Sequence, residues 1–489
     1  MRYVVLAAGF DGTLAREGRC DPRSDAILRA LAASGRKLIL VTSRELRDVL
    51  DVFPQASLFD YLVAENGAVV HRPAARESEI LAPAPSEVLI HELRRREVEP
   101  LSVGSVVVTT SNSYREALSN IIQRLRLDCH LLDNGTTVAA LPTGVNKASG
   151  VERVLEELGL SAHNLLAIGD AENDIALFEL AEHGAAVANA SPSLKRIADR
   201  VTRASYAEGF AEVARELLDT DLIGAPTRHR IVIGTRGGHH EVSVPPAACS
   251  ILLSGPSASG KAALCNNVVS QYMAQRYQCC VIGAYGQRGQ LEHEHIEGLV
   301  TLGDENHAPK QTDVLAQLEQ PAQSVVVNVG AMRASARASF VEQLIEQLSA
   351  LQARTGRPHA IVFDQAESLL TSASAARCAR QKAASVVYIS SRPQDLPRTT
   401  LESVEIVVAL GDARGTLDSI PDAMSHAPEA ALEPGQALLW FRDSGTAPFQ
   451  VELDLRPASF RVIPDVTNGA AAQGRARGAR VQNGEAALP

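Results

Sequence analysis

No stretch of this chain approaches the roughly 18 consecutive apolar residues that a membrane-spanning helix needs. Its first residues also lack the basic, apolar, small-residue succession of a secretory leader. The cytoplasm is therefore the expected location, with no membrane partner. Positive charge is in deficit, with 47 Lys and Arg against 57 Asp and Glu for a net −10. That balance disfavours a nucleic-acid partner, although a local basic face can hide within such an average. The cysteines lack a framework: seven of them, without a Cys-x-x-Cys pair, fit reduced thiols rather than disulfides. His239 and His240, and His293, His295 and His307 further on, lack the spacing of zinc motifs and read as polar connections.

What is present is ordinary globular material, 45% hydrophobic and 21% charged over 489 residues, enough for roughly three domains of about 150 residues. The apolar run from Tyr3 to Ala8 ends in Gly9-Phe10-Asp11-Gly12-Thr13-Leu14. A strand running into an Asp-Gly-Thr turn is a common way to present a carboxylate and backbone amides at the carboxyl edge of a sheet. A helical pattern follows from Ser24 to Ser34, closed by Gly35, and then a short apolar strand, Lys37 to Val41, ends in Thr42-Ser43-Arg44. That is a βαβ unit. A third strand, Tyr61 to Ala64, runs into the turn Glu65-Asn66-Gly67. Another apolar strand, Leu165 to Ile168, feeds Gly169-Asp170-Ala171-Glu172-Asn173-Asp174, where carboxylates at a strand end suit a hard cation such as Mg²⁺.

On these motifs the chain resembles the haloacid dehalogenase superfamily, and the Glu-Asn-Gly-Ala turn resembles its Cof-type branch. The resemblance implies a Rossmann-like α/β core over residues 1–81 and 144–222, with a small α+β cap inserted at 82–143. It implies that Asp11 acts as general acid/base, Thr42 bonds the transferring phosphoryl group and Lys147 pairs with nucleophile and phosphate. It places Mg²⁺ on Asp11, Asp170 and Asp174. The family's nucleophilic Asp is replaced by Gly9. Covalent catalysis needs that attacking carboxylate, and Mg²⁺ loses one ligand with it. For Thr42 the alternative is a helix N-cap, for Lys147 a solvated side chain, and for Asp170 and Asp174 a helix N-terminus favoured by the macrodipole.

A turn-rich join leads to a second module, 228–455. Its strand Ser250 to Ser254 runs into Gly255-Pro-Ser-Ala-Ser-Gly260-Lys261-Ala262 and then a helical run. Strand, G-x-x-x-x-G-K loop and helix form the context of a phosphate-binding P-loop, with backbone amides for the β-phosphate and Lys261 for the β/γ oxygens. Asp364 ends the strand Ala360 to Phe363, where a Walker-B carboxylate belongs; Gln365 follows where a water-polarising Glu is common, and Ala262 replaces the Mg²⁺-binding hydroxyl. Glu367 is a less favourable alternative base, being on the following helix. The module resembles the HerA/FtsK-type branch of P-loop ATPases, on its succession of strands and a closing hairpin around Trp440 and Phe449. That resemblance implies ATP or another nucleotide as ligand, and oligomerisation through this module. Residues 456–489, rich in small residues, are expected to be disordered.

Three readings follow. The leading one is a pseudoenzyme that binds a small phosphorylated ligand and a nucleotide with reduced or absent turnover, because Gly9, Ala262 and Gln365 replace catalytic residues. The others are an active Mg²⁺-dependent phosphatase of small metabolites and an ATP-driven, DNA-associated motor.

Overall fold

A computed structural model describes residues 1–21, 24–285, 298–381, 383–421 and 432–455. His293 and His295 and the expected disordered tail lie outside them. The described residues fall within one compact unit, Met1–Ala458. None of the described helices is long and apolar enough to cross a membrane.

Short strands, apolar and buried at the centre and more exposed at the two edges, build the first sheet. Its order is Arg200–Val201, His183–Ala186, Leu165–Gly169, Val5–Gly9, Lys37–Val41, Tyr61–Ala64, Val69–Arg72 and Glu77–Ile80. The first six run parallel, and the last two return antiparallel across the Glu65–Gly67 turn. Both faces of the parallel part are covered, so its strands read as continuous Val, Leu and Ala rather than alternating. The chain winds one way from Val5–Gly9 to Lys37–Val41 and later returns to its other side at Leu165–Gly169. Such a reversal opens a crevice at the carboxyl ends of the two strands, where ligands bind in open α/β sheets.

Between Glu87 and Pro142 stands a separate four-stranded antiparallel sheet, order Cys129–Asn134, Thr137–Pro142, Val108–Ser111, Leu101–Val103, with helices Glu87–Arg95 and Arg115–Leu125 packed on it. The sequence pattern predicts a strand from Ser105, but pairing starts at Val108. The reason is Glu65. Its buried carboxylate accepts the backbone N–H groups of Ser105, Val106 and Val107 at 3.0, 2.9 and 3.2 Å. Amides spent on a carboxylate are lost to a ladder, and the insert is thereby latched to the core.

The second large sheet has seven parallel strands, in the order Ile406–Leu410, Ser250–Ser254, Ser385–Ser390, Ala360–Asp364, Cys279–Gly283, Ser324–Asn328, Leu299–Leu302. Four antiparallel strands extend it beyond Ile406–Leu410: Gln436–Phe441, Phe449–Leu453, Ile231–Arg236 and His240–Val244. Long helices such as Lys261–Ala274 and Ala334–Thr355 close separate apolar clusters on its two faces. Polar side chains tie the two sheets' surroundings together. Arg357 donates to the Gly159 carbonyl at 2.7 Å, and Asn164 donates to the carbonyls of Arg2 and Gly356.

Candidate functional site

The crevice between Val5–Gly9 and its neighbours gathers the first group of residues. Gly9 is paired with Val41, so Thr42 follows at the same edge, and Asp170 follows Gly169 on the other side. A side chain at Gly9 would put its Cβ 2.8 Å from Thr13 Oγ1. The Thr13 hydroxyl thus fills the space and donates to Asp170 Oδ1 at 3.0 Å. Gly12 has φ +78°, and a Cβ there would lie 1.8 Å from Asp170 Oδ2. Both the left-handed backbone and the close approach require glycine.

Asp11 is exposed and gripped by Arg44, Nε to Oδ2 at 2.6 Å and Nη2 to Oδ1 at 2.7 Å. Thr42 is buried, and its hydroxyl oxygen accepts the Arg44 backbone N–H at 3.1 Å. Lys147 opens a helix whose Asn146–Ser149 capping box satisfies the first-turn amides. Its buried ammonium donates to Asp174 Oδ1 at 2.6 Å and Asn173 Oδ1 at 2.9 Å. The other Asp174 oxygen accepts the N–H groups of Asp170 and Ala171, both at 3.0 Å. Asp174 therefore holds the loop that presents Asp170. Burial, with Asp174 alongside, pushes the Asp170 carboxyl up to about 7, against Lys147 and the Thr13 hydroxyl.

Asp11, Thr42 and Asp170 are thus brought to one edge, while Lys147 and Asp174 are bonded to each other behind the Asp170 loop. Asp170 and Asp11 are hard oxygen donors that could hold Mg²⁺, and Gly9 adds no carboxylate. By donor type the residues suit such an ion, with one ligand fewer than a three-carboxylate site, but Arg44 already holds Asp11 and Lys147 holds Asp174. Sequence reasoning did not single out Arg44, or the link from Asn173 Nδ2 to Asn66 Oδ1 at 3.1 Å, or Asn189, which donates to the Gly12 carbonyl at 2.8 Å. An arginine two residues beyond a strand-end threonine is the one local signal for the first of these.

The second group lies at the carboxyl edge of the other sheet. Gly260, with φ +93°, caps the helix that begins at Lys261. The Lys261 ammonium folds back onto the carbonyls of Gly255 and Pro256 and donates to Ser391 Oγ at 3.1 Å. Burial lowers its proton affinity, partly offset by Glu367 and Asp364. Asp364 ends the strand two places from Ser250–Ser254, with Ser385–Ser390 between them. Burial raises its carboxyl, against a hydrogen bond from Tyr285. Gln365 is exposed, in the left-handed region at φ +58°. Glu367 Oε1 accepts the Ser391 N–H at 3.3 Å.

Residues 6–96 and 91–213 match the family described as haloacid dehalogenase-like hydrolase. The phosphoglycolate phosphatase of Methanothermobacter thermautotrophicus is 30% identical over 225 residues, 44% of this chain and 98% of that protein. That of Haloarcula marismortui is 30% identical over 223 residues, 44% of this chain and 97% of that protein. Among solved structures, a haloacid dehalogenase-like hydrolase from Bacteroides thetaiotaomicron aligns with 44% of this chain and 99% of its own, at 18% identity and a TM-score of 0.40.

Proposed function

Through residues 6–213 the chain belongs to the haloacid dehalogenase-like hydrolases, and on that premise we propose that this module binds a small phosphorylated metabolite while turning it over slowly or not at all. Gly9 carries the reading. It stands at the strand end where the family's nucleophile belongs, and its side-chain space holds the Thr13 hydroxyl instead. In a serine protease, loss of the nucleophile costs on the order of 10⁶ in rate, so binding is the function left to the pocket.

Asp170 and Asp11 would hold Mg²⁺, which when bound supplies positive charge for phosphoryl oxygens. Thr42, at the same edge, supplies a hydroxyl for a phosphoryl oxygen. Lys147 and Asp174 act as a pair that fixes the Asp170 loop. Arg44 occupies Asp11 until a ligand competes for it. Since the relatives named above are phosphoglycolate phosphatases, a small phosphorylated acid is the first ligand class to offer. Calorimetry with phosphoglycolate and Mg²⁺, run beside a phosphate-release assay, tests this. Binding without release supports the reading; release as fast as that of a Gly9→Asp variant overturns it.

A second phosphate site belongs to the loop Gly255 to Lys261, with ATP or another nucleotide as ligand. What favours it is the strand, loop and helix succession, with first-turn amides that have no partner inside the helix and Lys261 beside them. Asp364 is the carboxylate for its metal. Ala262 and Gln365 leave that site without a hydroxyl ligand and without a base, which favours binding over hydrolysis.

A further inference from the structure

Away from both phosphate edges, where the two large sheets' surroundings meet, one carboxylate oxygen collects three side chains. Glu182 is fully buried. Its Oε2 lies 2.8 Å from His163 Nδ1, 3.1 Å from His229 Nδ1 and 2.9 Å from the Tyr277 hydroxyl. Its Oε1 takes the Arg2 guanidinium at 2.8 Å. The His163, Glu182 and His229 ligand atoms lie within 4.8 Å of one another.

The other nitrogen of His163 decides what this convergence means. Nε2 lies 2.7 Å from the Gln275 carbonyl oxygen. A carbonyl only accepts, so Nε2 carries the proton, and in a neutral ring Nδ1 is then a lone pair. It faces a carboxylate oxygen at 2.8 Å. Two lone pairs at that distance require something positive between them, either a proton that makes the ring an imidazolium or a metal ion. An imidazole that donates one nitrogen to a backbone carbonyl and turns the other inward is also how metal-bound histidines are oriented. The ring is further fixed by stacking on Tyr277, centroids 3.7 Å apart.

We propose that His163 Nδ1, His229 Nδ1 and Glu182 Oε2 bind one divalent transition-metal ion, Zn²⁺ being the natural occupant of two imidazoles and a carboxylate, at the junction of the two modules. Bonds of about 2.0–2.1 Å at tetrahedral angles separate ligand atoms by about 3.3 Å. The observed 2.8 and 3.1 Å need to widen by only a few tenths. His229 is half-exposed and sits in the join between modules, so water can complete the shell from its side. Oε1 keeps Arg2, and Gln275 and Tyr277 bring the second module's helix end against the ligands. The ion would pin the join to the first module, with the second module supplying the outer shell.

The full chain is treated with chelator, returned to metal-free buffer, and titrated with Zn²⁺ and with Co²⁺, the latter read by its visible bands. One equivalent should bind, with nitrogen-ligand bands for Co²⁺ and a raised unfolding temperature. His229→Ala removes the half-exposed ligand and should lower affinity at least about tenfold, in the range that loss of metal-site residues produces. Asp170→Asn, at the other candidate metal site, should retain the tight equivalent. If no tight equivalent binds, or if it survives His229→Ala in a variant whose circular dichroism is unchanged, the cluster is a proton-bridged network and the proposal is overturned.

Discussion

Arg44 holds Asp11 by both arms of its guanidinium, 2.6 and 2.7 Å from the two carboxylate oxygens. The carboxylate to which the resemblance assigns general acid/base work is therefore held by an internal cation. Arg44→Ala should free Asp11, and Mg²⁺ affinity measured by calorimetry should rise several-fold. Because the pair is largely exposed, stability should change by less than about 1 kcal/mol.

Gly9→Asp places a Cβ 2.8 Å from Thr13 Oγ1, so the hydroxyl must rotate and release Asp170. Phosphate release from phosphoglycolate should rise by about a hundredfold or more over the parent, short of the roughly 10⁶ a fully arranged nucleophile contributes elsewhere. Gly9→Asp combined with Thr13→Ser, which removes the methyl and eases rotation, should do better in the same assay. Equal activity of parent and variants contradicts the assignment of Gly9 as the lost nucleophile position.

Asp170 predicts an unusual pH dependence. Folded, its carboxyl holds a proton up to about 7, whereas unfolded it releases it near 3.8. Between those values the folded state binds more protons, so the metal-free protein loses stability as pH rises through that window and levels off above it. At about 1.4 kcal/mol per unit the effect is at most a few kcal/mol. Urea unfolding at pH 5 and pH 8 measures it. Asp170→Asn should flatten the dependence, and Mg²⁺ should oppose it by favouring the carboxylate.

Glu65 latches the inserted sheet through three backbone amides. Glu65→Ala leaves those amides without their acceptor, at a cost of about 3 kcal/mol given about 1.5–3 kcal/mol for a hydrogen bond to a charged group. Hydrogen exchange should speed up at residues 105–107 before the core is affected. Unchanged exchange there would show that the latch is not what holds the insert.

Lys261→Ala should abolish nucleotide binding measured by calorimetry, since no other cation is bonded within that loop among the described residues. Ala262→Ser restores a hydroxyl where P-loops ligate Mg²⁺, and should raise Mg²⁺-dependent ATP affinity several-fold. Identical affinities for parent, Lys261→Ala and Ala262→Ser would remove the nucleotide reading.

Much of the architecture is readable in linear order. Buried parallel strands are largely runs of Val, Ile, Leu and Ala that end in or just before Gly, Thr or Asp, so Val5–Gly9, Lys37–Val41, Leu165–Gly169 and Ala360–Asp364 stand out locally. The Asp-Gly-Thr turn and the Gly-Asp loop are equally local. Hidden from such a reading was everything set by the partner of a side chain. Nothing beside Glu65 in sequence says that it takes the amides of residues 105–107, which instead look like strand.

Residue type and spacing alone determined the α/β class and the strand-end carboxylates at Asp11 and Asp170, because hydrophobic period and turn chemistry act over a few neighbouring residues, while the resemblance to the family's motif pointed to Gly9. Tertiary structure decided which of those groups are free. It gave Asp11 to Arg44, Asp174 to Lys147 and Glu182 to His163 and His229, across separations of 19 to 47 residues. Charges brought together by folding in a poorly solvated interior must find partners there, and only the folded chain determines which partners are within reach.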